Sequence, residues 1–441
     1  MYIKPKGTQD ILPNDVYTWQ TLENIIHRIA SIYNYEEIRT PIFESTELFH
    51  RSAGEESDIV TKETYDFQDR SGRLNTLRPE GTAGVIRSVI ENKLYASPVM
   101  PQKLYYVGPM FRYERPQKGR QRQFHQFGAE LIGSYSPLAD GEVISYAYSL
   151  IEALKLKDIT VYINSLGDKE SQENYKKALV EYLSNNVSSL CEDCQRRFST
   201  NPLRILDCKV DAKSELFNDL PHPIDYLTDN DKAHFDKVLE YLDVMKIPYK
   251  IDHKLVRGLD YYTHTIFEIK ASLSGLGTQD TLGGGGRYNN LIKELGGPEM
   301  GACGFAFGME RLIIALEALR KNEVSNFIHL YMIALGDKAN LKALEIITKA
   351  RKIGLTAEMS YEQGSLKNQF KQSEKLNSLY IMVLGDNELL EGEAVLKNTE
   401  TKEEMKIKIA DIYKTIIHDL QKGESNCGSC HGGCNHEENS K

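Results

Sequence analysis

The stretch Phe111–Gly133, FRYERPQKGRQRQFHQFGAELIG, constrains this chain more than any other. Between Arg112 and Arg122, five cationic side chains (Arg112, Arg115, Lys118, Arg120, Arg122) face a single acid, Glu114, in a protein of net charge −9. The flanking runs LYYVGPMF and FHQFGAELIG alternate with period two, which predicts two antiparallel strands joined by a long basic loop. Residues two apart in a strand share a face. Phe124, Gln126 and Glu130 therefore point one way, and His125 and Phe127 the other. An amide and a carboxylate beneath a cationic loop suit a polyanion together with a small polar ligand. A solvated charged hairpin is the plainer reading. Crowded cations repel one another, however, and are best tolerated where an anion neutralises them.

At 441 residues the chain exceeds one ordinary core, and two or three domains are expected. No apolar run approaches about 18 residues, so no membrane span is expected. The opening MYIKPKGTQD lacks the apolar stretch of a signal peptide, which predicts a cytoplasmic protein. Seven cysteines without an export signal argue against a disulfide framework. The acidic balance means that RNA or nucleotide would be met by local basic patches.

Along the chain, apolar residues at helical spacing predict a helix over Asp15–Tyr33, and EEIRTP predicts a strand over Glu36–Pro41. These elements suit either a core cover or a subunit interface. In LRPEGT (Leu77–Thr82), Thr82 is placed to cap a helix over Ala83–Leu94, with Glu80 beside its positive end. Glu80 then reads as a capping acid or as a carboxylate for a ligand ammonium. Polar helical sequence follows from about 170 to 250, and within it lie Cys191, Cys194 and Cys208. Their spacing suits zinc but lacks a fourth ligand, which His222 or Asp207 would have to supply; plain cytosolic thiols are the simpler account, and no metal is assigned. Arg257 and Gly258 precede paired tyrosines and a strand. Gly283–Tyr288 (GGGGRY) reads as close backbone approach to a ligand or as a mobile turn. GACGFAFG (Gly301–Gly308) runs as a strand into a helix with Arg311 in its first turn, an arrangement suited to an anion.

Beyond Ser325 the pattern restarts as strand (His329–Leu335), helix (Leu341–Ile353), strand (Leu355–Met359), helix (Ser365–Leu376) and strand (Leu379–Leu384). This predicts a separate α/β domain with a mostly parallel core. Lys367, Lys371 and Lys375 share one helix face, either solvated or facing RNA phosphates. The tail from Lys422 lacks periodicity and is expected to be disordered. It holds Cys427, Cys430, His431, Cys434 and His436; a haem-attachment reading of Cys427–His431 is rejected for want of an export signal, and adventitious or regulatory metal binding stays open.

Together these motifs resemble the histidyl-tRNA synthetases among the class II aminoacyl-tRNA synthetases, over roughly residues 1–420. The resemblance rests on KGTQDILP at Lys6–Pro13, LRPEGT, the basic hairpin, RGLDYYT at Arg257–Thr263, GGGGRY, and GFAFGMERL around Arg311. It implies an α+β class II catalytic domain, an antiparallel sheet with helices, over 1–325. A helical insertion at 171–250 lies within it, and a C-terminal α/β anticodon-binding domain follows at 326–421. It implies ATP with Mg2+, L-histidine and tRNA-His as partners, and a homodimer formed through the Asp15–Pro41 segment. Arg112, Arg257 and Arg311 would be catalytic, and Arg112, Arg120 and Arg311 would bind ATP. Glu80, Thr82 and Gln126 would receive the α-ammonium, Glu130 and Tyr262 the imidazole, with Tyr261 and Tyr288 walling the pocket. Arg115 and Gln117 would meet the tRNA acceptor end. The alternative within the same resemblance is the non-catalytic regulatory subunit of ATP phosphoribosyltransferase. That paralogue generally lacks the last domain and erodes the histidine-specific motifs, which are intact here.

Overall fold

The computed structural model describes residues 2–54, 57, 59–208, 210–271, 281–319, 327–362 and 364–426. The chain divides into two compact units, 1–321 and 322–441.

In the first unit, α1 (Pro13–Ile32) starts on proline and ends before Asn34, which adopts a left-handed conformation. Its periodic residues Leu22 and Ile26 are fully buried. The strand that follows, β1 (Glu36–Glu37), is shorter than expected. Ile38 adds one more bond to the Tyr105 carbonyl at 2.8 Å, and the Arg78 guanidinium then takes the Thr40 carbonyl at 3.0 Å, drawing the chain off the sheet. Next come β2 (Phe43–Ser45), α2 (Thr46–Ala53), β3 (Tyr65–Gln68) and β4 (Leu74–Leu77), a small antiparallel sheet ordered β2-β4-β3. The helix α3 (Thr82–Glu91) stops short of Leu94.

The basic hairpin forms as its alternation predicts. Strands β5 (Gln102–Phe111) and β6 (Gln123–Ile132) pair antiparallel from Gln102↔Ile132 to Phe111↔Gln123. Then follow α4 (Pro137–Ala153), β7 (Ile159–Ser165), α5 (Lys169–Leu183), α6 (Glu192–Thr200), α7 (Asp229–Val244), β8 (Tyr249–Ile251), β9 (Thr263–Ala271), β10 (Thr281–Arg287), α8 (Leu291–Glu294), β11 (Ala302–Gly308) and α9 (Met309–Leu319). The main sheet has eight strands in the order β1-β5-β6-β11-β10-β9-β7-β8. Only its two edge pairs are parallel. The four glycines therefore sit mid-sheet in β10, not in a turn.

The odd-numbered side chains of β6 and β11, such as Phe127, Phe305 and Phe307, bury against α1, α4, α7 and α9. The opposite face packs under α3 with Tyr261, Tyr262 and Tyr288. Helical pattern alone could not divide the 171–250 stretch, and the structure does divide it. Helices α5 and α6, with the turns after them, bury Tyr175, Leu179, Phe217 and others in a core of their own. In contrast, α7 packs Phe235, Val238 and Leu242 into the main core, and β8 joins the sheet edge.

The second unit runs β12 (Ile328–Ala334), α10 (Asp337–Lys352), β13 (Ala357–Met359), α11 (Leu366–Lys375), β14 (Ser378–Leu384), α12 (Asp386–Glu391), β15 (Glu393–Asn398), β16 (Glu404–Lys408) and α13 (Ile412–Asn426). The expected parallel trio β13-β12-β14 is present, and an antiparallel hairpin, β15–β16, extends it. Charged residues along that hairpin hid it from the hydrophobic pattern. The last helix continues to Asn426, past the expected start of the tail; Cys427–His436 lie outside the described residues. Among the described residues, no helix is long and apolar enough to cross a membrane.

Candidate active site

The site is built on the sheet face that carries the even-numbered side chains of β6. The carboxylate of Glu80 accepts the amides of Thr82 at 2.6 Å and Ala83 at 2.8 Å. Glu80, and not Thr82, therefore caps α3, as its negative charge at a helix N-terminus favours. Thr82 is the first helical residue, and its hydroxyl donates to Glu130 Oε1 at 2.8 Å. The Tyr288 hydroxyl donates to Glu130 Oε2. Tyr288 is thus a direct partner of Glu130 and more than a wall. Glu130 is only 1% exposed. Burial pushes its carboxyl up to about 8, against the lowering effect of the Tyr288 and Thr82 hydrogen bonds. Burial also raises Glu80, which the two amides and Arg112 partly offset.

Three buried tyrosines surround this carboxylate. The rings of Tyr261 and Tyr262 lie 4.6 Å apart, and Tyr288 stands 5.5 Å and 6.5 Å from them, edge-on. Gln126 lies on the same strand face, and its Oε1 is buried with no hydrogen-bond partner among the described residues. The facing strands come very close. A Cβ on Gly304, the register partner of Glu130, would stand 1.8 Å from Glu130 Oε2. A Cβ on Gly284 would meet the Phe267 carbonyl at 2.4 Å and Arg257 Nη1 at 3.0 Å. Glycine is required there for space.

Beside this pocket lies a cleft of about 300 Å³ lined by Arg112, Arg120, Arg257, Arg311 and Tyr262, with Gly283 and Gly308 in its wall. Each arginine is held. Arg112 donates Nε to the Pro79 carbonyl at 2.9 Å and stands over the Phe124 ring at 5.4 Å. Arg120 pairs with Glu114 at 2.8 Å. Arg257 bonds Glu268 at 2.7 Å, and the Thr281 hydroxyl orients that carboxylate from 3.1 Å. The Arg257 Nε is buried without a hydrogen-bond partner among the described residues. Arg311, expected at the mouth of its helix, reaches back to the Thr281 carbonyl of β10. Arg115 and Gln117 are exposed on the loop and do not line the cleft.

Such an arrangement can grip a polyphosphate along the arginines while a small ammonium-bearing ligand enters the tyrosine pocket. Sequence reasoning missed Glu268 and Glu310, the second of which accepts the His125 amide at 2.9 Å and its ring Nδ1 at 3.0 Å. It also missed the fully buried Arg287, whose Nε donates to Asp140 at 3.0 Å behind the pocket. The GGGGRY motif contains Arg287, but nothing local marks its partner. Neither His222 nor Asp207 belongs to the group that forms around the cysteines. Asp211 converges with Cys191, Cys194 and Cys208, whereas the His222 ring stacks on His253 at 4.0 Å.

Residues 7–312 match the family model described as histidyl-tRNA synthetase, and residues 329–418 that of an anticodon binding domain. A histidine–tRNA ligase of Bacillus velezensis is 48% identical over 423 residues, covering 96% of this chain and 100% of its own. One from Bacillus subtilis is 47% identical over a stretch of the same length. Among solved structures, apo histidyl-tRNA synthetase of Staphylococcus aureus superposes with a TM-score of 0.81 at 40% identity, covering 94% of this chain and 100% of that one. A Bacillus halodurans protein titled ATP phosphoribosyltransferase regulatory subunit/histidyl-tRNA synthetase reaches a TM-score of 0.63 at 22% identity, covering 87% of this chain and 99% of that one, a likeness of fold alone.

Proposed function

The chain belongs to the histidyl-tRNA synthetase family, and on that premise we propose that the paired pocket and cleft activate L-histidine with ATP and pass it to the 3′ end of tRNA-His. It is a ligase of histidine and tRNA, with ATP as a further substrate, and not a regulatory subunit. The observation that carries the division of labour is a pair of orphaned buried atoms. Gln126 Oε1 is an unused acceptor where an α-ammonium would sit, and Arg257 Nε an unused donor where a carboxylate or phosphate oxygen would sit.

In this reading Glu80, Thr82 and Gln126 receive the α-ammonium. Glu130 and Tyr262 meet the two imidazole nitrogens, within walls of Tyr261 and Tyr288. Arg257 bridges the substrate carboxylate and the ATP α-phosphate, Arg112 holds that phosphate, and Arg120 and Arg311 take the outer phosphates. The histidine carboxylate attacks the α-phosphorus and pyrophosphate leaves. Charge gathers on phosphoryl oxygens, so fixed cations and alignment matter more than a base. Guanidinium suits this because it never titrates and binds in a fork. Mg2+ would enter with ATP; Glu114 and Glu310 put carboxylates on the cleft wall, compatible with a metal held mainly by phosphates and water. In the second step the terminal adenosine hydroxyl attacks the adenylate carbonyl, the acyl–phosphate bond breaks and AMP leaves, with a phosphate oxygen of the adenylate as proton acceptor.

Arg115 and Gln117, exposed on the loop, would face the tRNA acceptor end. The second unit would read the anticodon. Exposed Leu12, Ile32, Ile42 and Phe43, in and around α1, support a homodimer, which sedimentation at graded concentrations would test. Selectivity follows from the imidazole having a polar atom at each end: a wrong amino acid buries Glu130 and Tyr262 without the ring nitrogens, leaving Glu130 only its Thr82 and Tyr288 bonds, and each lost bond in a buried site costs roughly 1–3 kcal/mol. Sites of this kind discriminate by about 10⁴–10⁵ without editing. The test is pyrophosphate exchange with ATP, Mg2+ and histidine. Glu130→Ala should abolish it, and near-normal exchange would remove Glu130 from the pocket.

A further inference from the structure

The α5–α6 region holds a cluster that the ligase chemistry does not use. Cys191 is the N-cap of α6, Cys194 lies one turn in, and Cys208 and Asp211 come from the short turn beyond. Their ligand atoms all lie within 4.8 Å of one another. Cys191 Sγ is 3.6 Å from Cys208 Sγ, and Cys208 Sγ is 3.6 Å from Asp211 Oδ2. The sulfurs are too far apart for a disulfide bond, which would need about 2.05 Å. These two distances are close to edges of a tetrahedral zinc site, and the full set, within 4.8 Å, would close on an ion by small side-chain shifts. Zn–S of about 2.3 Å and Zn–O of about 2.0 Å give S···S near about 3.8 Å and S···O near about 3.5 Å.

A second observation concerns charge. Asp211 is buried, yet no Lys or Arg pairs with it among the described residues. The Cys191 amide fixes this carboxylate at 3.1 and 3.2 Å, but no full positive charge balances it among the described residues. A divalent cation at the centre of the cluster would bind the sulfurs as thiolates and supply a positive charge beside Asp211.

We propose that Cys191, Cys194, Cys208 and Asp211 form a structural zinc site that ties the start of α6 to the turn at 208–211. With three thiolates and one carboxylate around Zn2+, the site carries a charge of −2, the same as a four-thiolate site. The tie brackets Arg204, which pairs with Asp260 at 2.9 Å and so holds the loop that carries Arg257 and Tyr262. The site itself does not depend on the assignment of substrate roles.

The test uses the full chain with the tail thiols replaced (Cys427→Ser, Cys430→Ser, Cys434→Ser), so that only the cluster can supply several thiolates. Purified without chelator, it should contain about one zinc per chain, and Cys191→Ser or Cys208→Ser should bring this near zero. Because those variants can unfold, the cluster is also titrated intact. After mild stripping, Co2+ should give thiolate charge-transfer bands and visible bands of tetrahedral intensity, which Zn2+ then displaces. Protein that carries no zinc and gives no thiolate–cobalt bands would overturn the proposal. So would a Cys191–Cys208 disulfide in protein kept under reductant.

Discussion

Glu130 carries two conflicting demands, and pH separates them. Its carboxyl sits near about 8 in the folded chain and near about 4.3 when unfolded. The folded state therefore holds a proton that the unfolded state releases between those values. Stability from this group is complete below the unfolded value and drains away as pH rises through the folded one. Glu130→Gln removes that dependence. In urea unfolding without substrates, the parent should lose a few kcal/mol relative to the variant between about pH 5 and pH 8. A constant difference across that range would refute the raised carboxyl. The same substitution should still cripple histidine-dependent exchange, so on the proposed reading the residue that recognises histidine is also the pocket's weak point for stability. Arg287 is the opposite case, a charge with every donor occupied. Its guanidinium bonds Asp140, the carbonyls of Ser134 and Ser136, and Asn289. Arg287→Met should cost about 3–5 kcal/mol, because it leaves buried Asp140 with only His234, 3.1 Å away, as a partner among the described residues. Calorimetry on the pair of single variants and the double variant would measure how much is stranding and how much is pairing.

At the scale of elements, glycine strands decide how closely the walls approach. Gly304→Ala should drive its methyl into Glu130 and the Ala129 carbonyl, lowering stability by about 1–3 kcal/mol and raising KM for histidine. Gly258→Ala, where nothing lies within 4 Å of the added carbon, should shift stability by less than about 0.5 kcal/mol. Equal effects of the two on stability and KM would show that packing against Glu130 is not what the glycine serves. The same elements show what a sequence can reveal. The hairpin was legible because alternation and charge clustering are local properties of one stretch. The Thr82–Glu130–Tyr288 bonds were not, since their partners lie 48 and 158 residues apart and no period joins them. Their neighbourhood was reached only through motif resemblance. Asp211 was not legible because residue type alone does not separate it from Asp207; a short turn that brings back the third residue after Cys208 does. The β15–β16 hairpin was missed because its alternation sets charged residues against few apolar ones: Ala394 and Leu396 bury in β15, and β16 offers only half-buried apolar positions.

For the molecule as a whole, each unit has its own core, so catalytic and tRNA-reading defects should separate. Lys367, Lys371 and Lys375 are all exposed on α11. Reversing all three to Glu should weaken aminoacylation at limiting tRNA by about tenfold or more and flatten its salt dependence. Histidine-dependent pyrophosphate exchange should stay unchanged. If aminoacylation kept its salt slope, the stripe would be only a solvated face. The glycine run of β10 also sets a limit on how this enzyme can be altered. A floor made of bare backbone offers no side chain to exchange, and at Gly284 and Gly285 any carbon added to it strikes a neighbouring carbonyl. Evolution or design toward another amino acid can therefore act only through the walls, at positions such as Tyr261, Tyr262 and Tyr288. A mutant library that spends its diversity on 283–286 would return mostly unfolded protein, while resistance to a histidine-mimicking inhibitor should arise on the walls.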